Sequence, residues 1–232
     1  MTEVTIRASD GSGSFKAYLA TPKSGKGPGI LLIQEIFGIN KVMRDLADGY
    51  AARGYTVMCP DLFWRQEPGV DITDQTKAEW DKAFKLFQGF DTDKGVDDLK
   101  ATLAALRGHA ASTGKAGAVG YCLGGKLAYL MAARSDSDAN VGYYAVGLAD
   151  LLDEAKNIRK PLLLHVANKD QFVPPEAQAK VKAALQGNAQ VTLCDYAQQD
   201  HAFARLGGEH YDKAAADLAN QRTADFFKKH LG

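Results

Sequence analysis

The chain has 232 residues, 46% hydrophobic and 24% charged, with 28 Lys and Arg balanced against 28 Asp and Glu. This is ordinary globular composition, which excludes a disordered chain, and a net charge of zero with no Lys/Arg run excludes a phosphate-tracking partner such as nucleic acid. The length suits one domain, 1–232, with a substantial buried core.

The N-terminal MTEVTIRASDG lacks the basic-then-apolar pattern of a secretory signal. Val4–Ala8 and Phe15–Ala20 read as strands flanking an Asp10–Gly11 turn. Gly29–Gln34 (GILLIQ) is apolar on both faces, as a buried parallel strand requires. Asn40 caps a helix running through Met43 to Arg53, and Gly54 stops it. Tyr55–Cys59 is a strand, and Pro60–Asp74 is a loop rich in Pro, Gly and Asp that forms the rim or lid of a site. Helices follow over about Gln75–Gln88 and Asp91–Gly108, then a strand over Lys115–Tyr121 and a helix over Cys122–Arg134. Strands at Val141–Tyr144, Pro161–Ala167 and Gln190–Tyr196 alternate with helices at about Pro175–Leu185 and Tyr211–His230. This alternation predicts an α/β fold, a mostly parallel central sheet with helices on both faces. No apolar run approaches the roughly 20 residues that span a bilayer. Three widely spaced cysteines, Cys59, Cys122 and Cys194, make neither a disulfide framework nor a zinc pattern. The expected setting is the cytoplasm, as a monomer with no membrane or nucleic-acid partner.

Gly120-Tyr121-Cys122-Leu123-Gly124 lies between a strand and a helix, the G-x-nucleophile-x-G elbow with Cys at its centre. A sharp strand-to-helix turn forces the nucleophile into a strained conformation, and glycines at both flanks relieve crowding. The helix N-terminus beneath favours a thiolate at Cys122 and an oxyanion near the Leu123 N–H. The bland alternative is a buried core cysteine beside a glycine turn. A thiol nucleophile needs a base, and the base an orienter. In the chain order of α/β-hydrolases those are Asp170, after the strand ending at Ala167, and His201, after the strand ending at Tyr196. Both fall on loops at strand C-terminal ends, where open α/β sheets place their sites. Alone, Asp170 reads as a turn or cap residue and His201 as a surface histidine; their order and placement favour catalysis. Asp195 and Asp200 are also near His201, but adjacency in sequence disfavours a side-chain bond. His165 reads as a packed strand histidine, Cys59 and Cys194 as small core residues, and His109, His210 and His230 as exposed. Gln34-Glu35-Ile36-Phe37-Gly38 follows a buried strand, where the Ile36 N–H is the candidate second oxyanion donor. Glu35 is either a proton acceptor beside the thiol or a structural glutamate paired with Arg44.

These residues resemble the dienelactone hydrolase (carboxymethylenebutenolidase) family of α/β-hydrolases over nearly the whole chain. The matching pieces are QEIFGIN (Gln34–Asn40), RGYTVMCPDLF (Arg53–Phe63), GAVGYCLGGKLA (Gly117–Ala128), Tyr143-Tyr144, KDQFVPP (Lys169–Pro175) and HAFAR (His201–Arg205). The Cys elbow together with QEIFG is specific, since most relatives of the fold carry Ser. The resemblance implies hydrolysis of the lactone ester of dienelactone (4-carboxymethylenebut-2-en-4-olide) to maleylacetate through a Cys122 acyl-thioester. It implies that His201 is oriented by Asp170, and that Glu35 holds the resting thiol and takes its proton once substrate enters. No cofactor and no metal are implied. Arg205 matches an arginine that pairs with a substrate carboxylate, and Phe37, Tyr144 and Phe84 are further substrate contacts. A second family arginine is replaced by Trp80, so a different lactone or a less charged carboxylic ester is the alternative substrate.

Overall fold

In the computed structural model, which describes residues 2–232, the Asp10–Gly11 turn closes an antiparallel hairpin of β1 (Thr2–Arg7) and β2 (Ser14–Ala20). Gly11 sits at φ 75°, in the region a turn residue without Cβ enters at no steric cost. The hairpin opens the first of two compact units, Met1–Gly117 and Ala118–Gly232.

In the first unit the strand order is β1-β2-β4-β3, with β3 at Gly27–Ile33 and β4 at Thr56–Pro60. β2 meets β4 antiparallel and β3 meets β4 parallel. Ile30, Leu31, Leu32 and Ile33 are fully buried, as an apolar run on both strand faces predicts. Helix α1 (Lys41–Ala52) is capped by Asn40, whose side chain accepts a hydrogen bond from the Met43 N–H at 3.2 Å. Its buried residues Met43, Ala47, Tyr50 and Ala51 follow the helical period, and Gly54 at φ 100° ends it. Helix α2 (Lys77–Gln88) begins with a capping box: the Thr76 hydroxyl accepts from the Glu79 N–H and donates to the Glu79 carboxylate. Helix α3 (Thr92–Gly108) is capped by Asp91.

The segment 60–74 is tied down along its length. Leu62 N–H donates to Gln34, Asp61 accepts from Phe63 N–H and Gly69 N–H, and Gln66 donates to the Leu86 carbonyl. Arg65 grips Asp98 with two nitrogens, at 3.0 and 2.8 Å, and Trp64 Nε1 donates to the same carboxylate at 2.8 Å. Asp98 is buried, and a planar fork on a buried carboxylate is a rigid anchor. These bonds hold the segment against the rest of the first unit.

β5 (Ser112–Tyr121) runs on into the second unit, where β5, β6 (Asn140–Tyr143), β7 (Leu162–Ala167) and β8 (Val191–Tyr196) are neighbours in that order, all parallel. Helix α4 (Leu123–Arg134) is buried nearly all round, from Leu123 to Ala132, and so packs as a central helix. Helices α5 (Pro175–Leu185) and α6 (Lys213–Leu231) complete the unit.

Four points of the sequence reading need correcting. β5 begins three residues early, at Ser112, because backbone pairing extends through polar residues that carry no hydrophobic signal. Two short 3-10 helices, Leu148–Asp150 and Leu152–Asn157, were not foreseen; they are too short for periodicity to show. β6 ends at Tyr143, and Tyr144 leaves the strand at φ 36°. His109, His210 and His230 are half-buried rather than exposed. No described helix is long and apolar enough to cross a membrane.

Candidate active site

Cys122 stands at the junction of β5 and α4 with φ 56° and ψ −113°. A non-glycine residue in that region is strained by about 1 kcal/mol or more, so the surroundings must impose it. They do so through the backbone: Cys122 N–H donates to the Tyr143 carbonyl at 3.1 Å, and the Cys122 carbonyl accepts the first helical bond, from Lys126 N–H at 3.1 Å. Leu123, Gly124 and Gly125 therefore precede the first intrahelical donor, and their N–H groups point toward the positive end of α4. The glycines permit this approach. A Cβ on Gly120 would lie 2.0 Å from the Gly124 carbonyl oxygen, and one on Gly125 would lie 2.7 Å from the Tyr143 carbonyl oxygen.

Asp170 and His201 come from the loops after β7 and β8, as their sequence positions predict. His201 Nδ1 and Asp170 Oδ2 are 2.8 Å apart, with both side chains buried. Asp170 Oδ1 accepts from Phe172 N–H at 2.8 Å, which fixes the carboxylate plane. Burial is the largest influence on the His201 imidazolium and opposes it. Against it act the electrostatic pull of the Cys122 sulfur, hydrogen bonds to Asp170 and to Cys122, and the Asp170 charge, which together raise the imidazole to about 10. The structure thus brings Cys122, His201 and Asp170 into one hydrogen-bonded set in which His201 favours carrying the proton.

Tyr144 packs edge-on to His201 (ring centroids 5.2 Å apart), and so does Phe172 from the Asp170 loop (4.8 Å). Phe172 was missed in sequence; its place two residues after Asp170, in KDQFVPP, was the available signal. Among the described residues, the non-glycine residues with positive φ are Cys122, Tyr144 and Ala202, which follows His201. All three lie at this site, where stored strain concentrates. Arg205 is buried on the same loop as His201, its guanidinium lying over Gly208.

In the first unit, Glu35, Ile36 and Phe37 are buried in the turn after β3. That turn passes so close to Val70 that a Cβ on Gly38 would lie 1.8 Å from its carbonyl oxygen. The alternative that paired Glu35 with Arg44 gives way: Arg44 binds Asp71 at 2.7 Å and the Ile39 carbonyl. Trp80 stacks on Phe84 (5.4 Å) and meets Phe37 edge-on (5.1 Å), so an aromatic wall stands where the sequence lacks the second arginine.

Residues 15–231 match the sequence profile of the Dienelactone hydrolase family. The chain belongs to the dienelactone hydrolase family. A relative from Azospirillum brasilense, provisionally named carboxymethylenebutenolidase, is 55% identical over all of both chains. The carboxymethylenebutenolidase of Pseudomonas putida is 39% identical over 96% of this chain and 94% of its own. Among solved structures, a Klebsiella pneumoniae protein provisionally described as a dienelactone hydrolase superposes with a TM-score of 0.84, at 25% identity over 99% of both chains. The fold is that of the α/β-hydrolases, and the family membership makes this chain a hydrolase.

His165 lies under the site and is not part of the catalytic set. Nδ1 meets the Tyr196 hydroxyl at 2.8 Å and Nε2 the Thr223 hydroxyl at 2.9 Å, and that hydroxyl also meets Tyr143 OH at 2.6 Å. The reading of His165 as a packed strand histidine holds. Burial, with help from Arg222, pushes its imidazole down to about 3. In the unfolded chain it titrates near 6.5, so its contribution to stability is full above pH 6.5 and is lost as pH falls toward 3. Between pH 7 and 4.5 we expect the wild type to lose about 2 kcal/mol more than His165→Gln. Urea unfolding midpoints at the two pH values check this; equal losses would contradict it.

Proposed function

We propose that this hydrolase opens the lactone ring of dienelactone to give maleylacetate, with Cys122 as the nucleophile. The observation that carries the reading is the buried His201 imidazole, bound to Asp170 at 2.8 Å and hydrogen-bonded to Cys122. The printed names of the relatives support the substrate class.

In this reading Cys122 Sγ adds to the lactone carbonyl carbon while His201 holds the thiol proton. The carbonyl oxygen becomes an oxyanion and accepts a hydrogen bond from the Leu123 N–H. Collapse breaks the ring C–O bond, leaving an acyl-thioester on Cys122 and expelling an enolate that takes the proton from His201, which frees the imidazole as a base. Water then gives a proton to His201 and attacks the thioester carbonyl. The C–S bond breaks, and the enol tautomerises to the keto acid, with one water consumed. Asp170 keeps the imidazole in the tautomer and orientation that both steps need. On the resemblance alone, Glu35 shares the thiol proton, the Ile36 N–H is a second oxyanion donor, and Arg205 pairs with the substrate carboxylate. Phe37, Tyr144 and Phe84 contribute apolar contacts on the same ground. The match over residues 15–231 supports one hydrolase domain over 1–232, and three free cysteines support a cytoplasmic setting.

A second reading has its own support. The Trp80–Phe84–Phe37 stack supplies aromatic surface and no cation, which favours a less charged lactone or ester. The nucleophile is tested with p-nitrophenyl acetate, by rapid mixing, acid quench and peptide mapping. The expected result is a burst of nitrophenolate matching the enzyme concentration, with the acetyl group on the peptide bearing Cys122. Acetyl on a different residue would overturn the assignment.

A further inference from the structure

The Asp200 carboxylate is not used in the chemistry above, and it touches both catalytic loops. Its Oδ1 accepts from the His201 N–H at 2.6 Å and from the Gln171 N–H at 3.0 Å. Gln171 immediately follows Asp170, so one oxygen staples the residue after the acid to the backbone of the base. A second link runs alongside, from Lys169 N–H to the Gln199 carbonyl at 2.9 Å. His201 is followed by Ala202 at φ 61°, a conformation that persists only where neighbours over-determine it.

We infer that Asp200 is a positioning residue that holds the Asp170 and His201 loops in register, so that the imidazole and the acid meet at hydrogen-bond distance. The role is geometric rather than electrostatic. The charges that raise the His201 imidazole are those of Cys122 and Asp170, and Asp200 is not among them. Its second oxygen, Oδ2, lies 3.8 Å from His210 Nε2, on the side away from the staple. An amide oxygen accepts two N–H groups as well as a carboxylate oxygen does. Neutral Asn at this position therefore keeps the staple, whereas Glu, with its charge intact, carries the oxygen one methylene too far.

The inference rests on the reading of His201 and Asp170 as base and acid. Its test combines an imidazole titration by NMR, which needs no turnover, with p-nitrophenyl acetate kinetics. In Asp200→Ala and Asp200→Glu we expect the His201 titration to fall by about one pH unit or more as its bond to Asp170 loosens. In both, kcat is expected to fall about 10- to 100-fold with KM little changed. Asp200→Asn is expected to match the wild type in both measurements. Should Asp200→Ala fail to fold, the Asn and Glu pair still decides. An unchanged His201 titration and kcat in Asp200→Glu, or an Asn variant as impaired as Glu, overturns the inference. A wild type that lacks esterase turnover sinks the proposed function instead, and the titration still judges Asp200.

Discussion

Cys122→Ala is expected to lower kcat/KM on any lactone or ester substrate by about 10,000-fold or more, since it removes the attacking atom while leaving a base with nothing to activate. The loss is not total, because the Leu123 N–H and the His201–Asp170 pair remain to assist water. The protein stays folded. The change removes one sulfur from a buried position whose backbone is held by Tyr143 and Lys126, and Ala adopts φ 56° no worse than Cys. Circular dichroism and a thermal melt beside the kinetics separate lost chemistry from lost structure. A well-folded Cys122→Ala protein with turnover within tenfold of the wild type would remove Cys122 as nucleophile. Cys122→Ser is expected to recover little, because a hydroxyl holds its proton far more tightly than a thiol, and the Cys122 contribution that raises the His201 imidazole is then lost.

Gly120→Ala is the largest structural change that one methyl group can make here. The new Cβ would sit 2.0 Å from the Gly124 carbonyl oxygen and 2.3 Å from its carbonyl carbon. Both are backbone atoms of α4, so no side-chain rotation relieves the clash; strand and helix must separate. The expected cost is about 4 kcal/mol or more, beyond ordinary overpacking, read as a drop in the urea midpoint or as insoluble protein. Gly187→Ala is the control. Nothing lies within 4 Å of its added Cβ, and its effect is expected to stay within about 0.5 kcal/mol. If Gly120→Ala were equally mild, the close strand-to-helix approach at the elbow would be wrong.

The parts of this structure that were legible in sequence are those fixed by local rules. Asn40 announces a helix start because its side chain reaches a donor three residues on, and Gly120 with Gly124 announces the elbow because only small residues fit there. The loops carrying Asp170 and His201 were placed by the strands before them. The Pro175–Leu185 helix was legible from proline at its first position. What was hidden depends on residues distant in sequence. The Asp200 staple joins residues 29 apart, the His165 bonds reach across 31 and 58, and the Arg65 fork on Asp98 spans 33. Nothing local in those segments marks the partner. Adjacency to His201 disfavours a side-chain bond from Asp200 to the imidazole, and the structure agrees, but adjacency is silent on a bond to the backbone. The Asp200 bond is to the His201 backbone N–H, while the imidazole goes to Asp170. The left-handed turn at Tyr144 was equally silent, since tyrosine carries no preference for it and the bond that holds its N–H, to the His165 carbonyl, comes from a neighbouring strand.

The most direct test of the central claim is steady-state hydrolysis of cis- and trans-dienelactone by the purified protein, followed by ultraviolet absorbance, with p-nitrophenyl acetate alongside. The account predicts fast dienelactone turnover, much weaker aryl acetate cleavage, and loss of both in Cys122→Ala. Aryl acetate turnover with no hydrolysis of either dienelactone would contradict it, and would point to an uncharged ester accommodated by Trp80 and its aromatic neighbours.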